Sequence, residues 1–224
     1  MKRHVLLFFC TVSLLALAAA CTQETYDQGD GEFSLLRADF VEAHVGADRR
    51  VDYVKTDDGD SLRAVRPFTV SWIVTADTTY RALLYHSLRE GQTDAYSMAQ
   101  VLVPLPKPAS RFKGGVVTDP VYVESCWRAR NGRYLNLRLR VMTGDDEVAK
   151  STRHVFGCVN DTLVTQADST TTLHLSLYHS QGGQPEYYSR EVYLSIPLYD
   201  VSADSVRLTV QTYNGLLQKT LATK

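Results

Sequence analysis

Residues 133–141 read RYLNLRLRV. Successive side chains of an extended chain point to opposite faces, so Leu135, Leu137, Leu139 and Val141 fall on one side and Asn136, Arg138 and Arg140 on the other. The same two-residue period returns in Leu173, Leu175 and Leu177, in Val192, Leu194 and Ile196, and in Val206, Leu208 and Val210. A strand with one apolar face needs a second sheet to cover it. Four such strands, with no long 3.6-residue period anywhere, describe an antiparallel β-sandwich. Val121–Trp127 and His154–Val159 supply further strands, and Gly144-Asp145-Asp146 and Gly182-Gly183 mark turns.

Upstream the pattern is less regular but still extended. Strands are expected at Phe33–Ala43, Arg49–Thr56, Ser61–Val65, Thr69–Val74 with Thr79–Ser87, and Ala95–Val103. Asp57-Asp58-Gly59 carries the Asp-Gly signature of a tight hairpin. Asp57, Asp58 and Asp60 lack the further ligands and closing Glu of a calcium loop, so the turn is the favoured reading. PLPKPASRFKGG, at 104–115, places prolines at alternate positions and then two glycines. Such a stretch cannot continue a central strand, and a domain boundary is placed near residue 112.

The beginning of the chain is different in kind. Lys2 and Arg3 precede an uncharged apolar run from Val5 to Ala20, too short for a comfortable membrane span of about 20 residues. A basic start, a short apolar core and small residues at the end describe a secretory signal over residues 1–20. Leu17-Ala18-Ala19-Ala20 runs directly into Cys21, which resembles a bacterial lipobox, so Cys21 is the expected lipid attachment site and first mature residue. Two or more acyl chains would hold the protein on a membrane. Residues 22–32, TQETYDQGDGE, are polar and acidic, and 21–32 read as the lipidated cysteine with a flexible tether. That tether would separate the body from the lipid by roughly 17–20 Å. Its acidic residues resemble the surface-export signals of some Gram-negative lipoproteins. The remaining organisation is a barrel domain over 33–112 and a sandwich domain over 113–224.

Composition limits what the body can do. Loss of Lys2 and Arg3 with the signal leaves a mature net charge near −3, and no basic cluster exceeds two residues. Nucleic acid is therefore not an expected partner. Cys10 leaves with the signal, so Cys126 and Cys158 are the cysteines of the folded part. In an exported protein they either form a disulfide, closing a loop of about 33 residues and contributing roughly 3.5–4 kcal/mol, or pack as separate buried thiols.

TDPVYVESCWRARNGRYLNLRLRVMTG, HVFGCV, TTLHLSLYHSQGGQPEYYSREVYLSIPL and DSVRLTVQTYNG, in that order, resemble the NigD-like lipoproteins of Gram-negative anaerobes from gut and mouth. The resemblance is strongest in the second half; upstream it rests on DDGDSLRAVRP and on position. It implies an all-β chain, with an N-terminal OB-like barrel followed by a C-terminal antiparallel β-sandwich, held at the outer membrane by its lipid. The family's name comes from an operon tied to bacteriocin production, and the resemblance implies no biochemical activity.

The residues themselves offer little chemistry. There is no G-x-S-x-G elbow, Walker loop, H-E-x-x-H or C-x-x-C, so no catalytic residue, no metal ligand and no cofactor is assigned. His174 and His179 fall on opposite faces of a regular strand and read as surface or hydrogen-bonded histidines. Glu186 and Glu191 flank a loop and a strand without the spacing of glycosidase carboxylates. Trp72 and Trp127 read as core. The candidate binding loop is SQGGQPEYYS at 180–189, where Gln184, Glu186, Tyr187 and Tyr188 combine amide, carboxylate and aromatic groups suited to a saccharide or peptide backbone. The competing reading is a long hairpin whose tyrosines pack on the sandwich edge. The expectation is a non-enzymatic binding or assembly module of the envelope, with an envelope protein or a saccharide as partner. The alternatives are a hydrolase acting on glycans or peptides and an accessory of a bacteriocin secretion or immunity system.

Overall fold

The computed structural model describes residues 35–223. The expected signal, Cys21, the tether and the first residues of the expected Phe33–Ala43 strand lie outside them.

Five strands form a closed barrel: β1 (Arg37–Val45), β2 (Val51–Thr56), β3 (Ser61–Phe68), β4 (Thr78–Arg89) and β5 (Gln92–Gln100). Their order around the barrel is β1-β2-β3-β5-β4, with β1 closing on β4 and β3 meeting β5 in parallel. This is the five-stranded Greek-key arrangement of an OB-like barrel. The interior is aliphatic, with Val41, Ala43, Val45, Val51, Val54, Ala82, Leu84 and Met98 buried together. At the β2–β3 turn, Gly59 has φ +99°, a left-handed angle that glycine adopts without steric cost.

Thr69–Val74, expected as a strand, is a turn instead. Ile73 donates its N–H to the Val70 carbonyl at 3.1 Å and buries its side chain in the barrel core, while the Trp72 indole donates to the Met98 carbonyl at 3.3 Å. The apolar residues of this stretch follow no alternation because they cap a barrel rather than pair in a ladder.

The rest of the chain forms two facing sheets. One has three strands, in the order β11 (Tyr188–Pro197), β8 (Tyr134–Thr143), β7 (Tyr122–Arg128). The other has five, in the order β13 (Gly215–Ala222), β12 (Ser205–Thr212), β10 (Thr171–Ser180), β9 (Val155–Thr165), β6 (Pro106–Pro108). Between them lie Leu135, Leu137, Leu139 and Val141 from β8 against Leu175, Leu177, Val206, Leu208 and Val210, all buried. Two pairings depart from the antiparallel rule: β10 with β12 and β6 with β9 run parallel. The first follows from connectivity, since the chain leaves β10, crosses to the other sheet as β11 and returns as β12.

Pro106–Pro108 pairs with Cys158–Asn160 at the outer edge of the five-stranded sheet. An edge is where prolines can sit, because their missing N–H groups interrupt no second ladder. The proline-rich stretch thus contributes a strand to the sandwich. A short helix α1 (Glu147–Ser151) is capped by Asp146, whose carboxylate accepts from Ala149 N–H at 2.9 Å.

Candidate functional site

The outer face of the three-stranded sheet is covered around Trp127, Asn136, Tyr193 and Ser195, while Arg138 and Arg140 on the same face stay exposed. Phe40, Leu83 and Val101 are buried against it, with Tyr85, Trp127 and Tyr193 packed alongside. Asn136 and Ser195 point the same way and are fully buried. Backbone bonds fasten the contact: Leu102 N–H donates to the Tyr193 carbonyl at 3.0 Å, and Ser195 N–H donates to the Leu102 carbonyl at 2.8 Å.

At the centre of this seam is Arg81 of β4, with 2% of its side chain exposed. Its Nε donates to Ser195 Oγ at 2.9 Å, and its Nη2 donates to Asp57 Oδ2 at 2.6 Å and Asn136 Oδ1 at 3.1 Å. Asn136 Nδ2 donates to the same Asp57 oxygen at 2.7 Å, and Ser195 Oγ donates to Asn136 Oδ1 at 2.7 Å. The guanidinium lies 4.1 Å from the Tyr134 ring centroid. A buried cation is tolerated only when paired and hydrogen-bonded, and here a carboxylate, an amide, a hydroxyl and an aromatic face surround it. Arg81 Nη1 and Asp57 Oδ1 are buried with no partner among the described residues. Tyr134 donates its hydroxyl to Glu42 at 2.7 Å, and burial, then this bond, pushes the phenol up to about 12.

Beside the seam opens a cleft of about 500 Å³, within the ~300–1,000 Å³ range of small-ligand sites. The Phe40 ring meets Trp127 edge-on at 5.3 Å and Tyr193 at 5.9 Å, forming an aromatic cluster in its wall. Four carboxylates also line it: Asp39, Asp57, Asp58 and Glu191. Each has a cation beside it. Arg37 lies 3.2 Å from Asp39, Arg81 2.6 Å from Asp57 and Arg130 3.3 Å from Asp58, while Arg138 pairs with Glu191. The bond from Arg138 and a second from the Tyr193 hydroxyl hold the Glu191 carboxyl below its usual range.

At one end of the cleft Asp39 Oδ2 is 2.9 Å from His86 Nε2, and His86 Nδ1 is 2.9 Å from Thr93 Oγ1. The composition is that of a nucleophile–base–acid chain, but Thr93 is completely buried and cannot meet a substrate in this arrangement. The three residues close the barrel interior with satisfied polar groups.

The 180–189 loop is tied inward. Gln184 is buried, donating its amide to the Ala149 and Thr152 carbonyls at 2.9 and 2.7 Å and accepting from Thr143 Oγ1 at 2.7 Å. Tyr187 and Tyr188 are exposed but donate their hydroxyls to Asp146 and the Gly144 carbonyl, each at 3.2 Å. Glu186 accepts from Tyr213 at 2.9 Å and Gln181 at 3.1 Å. A Cβ at Gly182, which has φ +63°, would lie 2.5 Å from the Arg153 carbonyl oxygen, so only glycine allows this approach. Gln184 therefore spends its polar groups clamping α1, and the loop's remaining groups are separate from the cleft residues.

His179 continues the buried Leu175–Leu177 column of β10, and His174 lies on the opposite face, as the spacing predicts. His179 Nδ1 is 2.9 Å from the Asp119 carbonyl, which can only accept, so this nitrogen carries the proton. Its Nε2 then accepts from His154 Nδ1 at 3.0 Å, and His154 Nε2 is buried without a partner among the described residues. Burial, reinforced by His179, pushes His154 down to about 4. Cys126 and Cys158 are both free and both buried in the sandwich core, so the bridge considered for them is not formed. Burial raises their thiols to about 11 and about 12.

The NigD-like C-terminal β-sandwich domain matches residues 104–222, more than half of the chain. The chain belongs to the NigD-like family. The match begins at the proline stretch, where the sandwich's edge strand also begins. The fold is similar to that of a NigD-like immunity protein from Bacteroides caccae, with a TM-score of 0.66 at 25% identity, covering 84% of this chain and 97% of that one. A protein of unknown function from Bacteroides vulgatus shares the fold at a TM-score of 0.61, with 14% identity over 84% of this chain and 90% of that one. A candidate lipoprotein from Bacteroides fragilis does so at 0.57, with 13% identity over 84% and 98%. No curated protein matches the sequence. Among the described residues no helix is long and apolar enough to cross a membrane.

No sequence signal marked the cleft of this NigD-like chain. Its residues run from Ala38 to Tyr193, and Asp57 and Asp58 already had a complete explanation as turn residues. The one available hint, and only to the adjoining Arg81 seam, was Asn136, an amide with neither charge nor bulk inside an otherwise leucine- and arginine-rich strand.

Proposed function

We propose that this NigD-like protein is a cell-envelope lipoprotein, anchored at the outer membrane through Cys21, whose folded body is a non-enzymatic binding or assembly module. The cleft beside the Arg81 seam is its ligand site. The observation that carries this is the pairing of fixed aromatic rings with charges that are already neutralised. Binding needs presented groups, whereas hydrolysis by paired carboxylates needs one carboxyl held protonated near neutral pH. Glu191 is pushed the other way by Arg138.

The test is oxidative footprinting of Trp127 and Tyr193 in intact cells against purified protein, with mass spectrometry of the mature N-terminus. Protection in cells that is lost on purification is expected, together with an acylated Cys21. Equal labelling in both would remove the cleft as a ligand site, and a retained Met1 would remove the lipid anchor. A second reading, an accessory of a bacteriocin secretion or immunity system, is favoured by the fold's similarity to the Bacteroides caccae immunity protein. It predicts that deleting the gene sensitises the cell to a bacteriocin.

A further inference from the structure

We infer that the ligand of the cleft is a neutral saccharide, an inference that rests on the cleft being the binding site. Three observations carry it. The first is charge. Asp39, Asp57, Asp58 and Glu191 all face cations within the protein, so a cationic ligand would have to displace an arginine and an anionic one a carboxylate. Neither gains a free opposite charge: at Asp39, Asp58 and Glu191 a charged ligand would only exchange one exposed ion pair for another, and at Asp57 it would break the buried pair with Arg81.

The second is the geometry of what remains. Glu191 is held by Arg138 and by the Tyr193 hydroxyl, so the carboxylate and guanidinium are fixed in orientation beside the Tyr193 ring. Trp127 and Tyr193 are themselves fixed edge-on to Phe40. Rigid aromatic surface next to oriented donors and acceptors matches a ring with one C–H face and hydroxyls along its edge, which is the build of a neutral sugar. Fixed groups also lose little conformational entropy when they bind.

The third observation weighs against an extended peptide. Peptides commonly add to an open sheet edge. The edge of β11 beside the cleft is already taken, because Leu102 bonds to Tyr193 and Ser195 on both its donor and acceptor sides. The barrel is closed and offers no edge.

The experiment uses the full chain in a detergent without sugar headgroups, with Trp72→Phe so that Trp127 is the only tryptophan. Its emission is followed during titration with cello-, malto-, xylo-, manno- and chitohexaose. Sialyllactose, deca-arginine and deca-proline serve as anionic, cationic and peptide comparisons. At least one neutral oligosaccharide should shift Trp127 emission, and Glu191→Gln should weaken that binding about tenfold or more, as expected for a lost hydrogen bond to a charged group. Glu191 is an exposed residue in a surface ion pair, so this change leaves the fold intact. Silence of every neutral sugar up to about 10 mM, a limit set by the weakest useful affinities, overturns the inference. So does tighter binding of sialyllactose, deca-arginine or deca-proline. If the sugars fail while the footprint on Trp127 and Tyr193 persists in cells, the cleft stands as a site and only the ligand class is wrong. If the footprint is also absent, both readings fall.

Discussion

At Asn136 strand β8 is buried on both sides, and the two sides are built from opposite chemistry. Leu135, Leu137, Leu139 and Val141 close the sandwich as a dry aliphatic layer. One residue over, Asn136 faces the barrel and joins Ser195, Asp57 and Arg81 in a hydrogen-bonded network. Hydrophobic burial is non-directional, so the first face tolerates any well-packed apolar residue. The polar face tolerates little, because each buried group depends on a particular partner. The apolar face thus supplies cohesion, while the polar one fixes how the barrel sits on the sheet and so shapes the cleft beside it.

The largest expected effect breaks this comparison at Arg81. Arg81→Ala leaves Asp57 without its cation and Ser195 Oγ without its donor, and reduces Asn136 Oδ1 to the single bond from Ser195. It should destabilise the protein by about 3–5 kcal/mol, the range for removing one partner of a buried ion pair. Leu137→Ala, on the other face, should cost about 2–5 kcal/mol through transfer and cavity terms. Urea unfolding measures both. The faces differ in how the loss is recovered. Arg81→Met combined with Asp57→Asn should regain part of it, with a coupling of about 1–3 kcal/mol, because removing both charges leaves no orphan. A loss below about 1 kcal/mol for Arg81→Ala would show that the seam contributes no more than a surface pair does.

The same contrast explains what the sequence could reveal. Alternating leucines on β8, β10, β11 and β12 announce their buried side, and all four are strands with that side in the core. On the opposite face of β8 Arg138 and Arg140 are exposed as the pattern predicts, but Asn136, which looks just as solvent-facing, is buried, because pattern records polarity and not contact. The two strands that went unread, β6 and β13, lie at the two edges of the five-stranded sheet, where a strand carries no enforced alternation. Gln184, a candidate binding residue by its chemistry, spends its amide on the carbonyls of Ala149 in α1 and Thr152 at its C-terminal end, more than thirty residues upstream. A cleft assembled from β1, the β2–β3 turn, β4, β7, β8 and β11 has no local signature at all.

A smaller effect sharpens the comparison at His179, where a polar ring ends the apolar column of β10. His154 titrates near 4 in the fold and His179 is also lowered, mainly by burial, whereas an unfolded histidine titrates at about 6.5. Between those values the unfolded chain binds protons that the folded chain refuses. The stability due to neutral His154 and His179 is therefore fully present above about pH 6.5 and is lost as pH falls toward 4. Urea midpoints measured from pH 7.5 to 4 should decline over that window, and His154→Gln should flatten the decline. An unchanged slope in the variant would place the proton uptake elsewhere.

The smallest effect concerns Cys126 and Cys158, which sit in the apolar layer as polarisable side chains and not as a covalent tie. A disulfide there would constrain the unfolded chain and contribute roughly 3.5–4 kcal/mol, so a reductant would lower the urea midpoint sharply. Free thiols predict no change with or without reductant. Burial raises Cys126 to about 11 and Cys158 to about 12, which leaves little thiolate at neutral pH, so alkylation should be slow in the native state and complete on unfolding. Two alkylated cysteines per folded body after unfolding without reductant is the expected mass. None alkylated, with a midpoint that falls on reduction, would mean that the apolar face is tied by a bond after all.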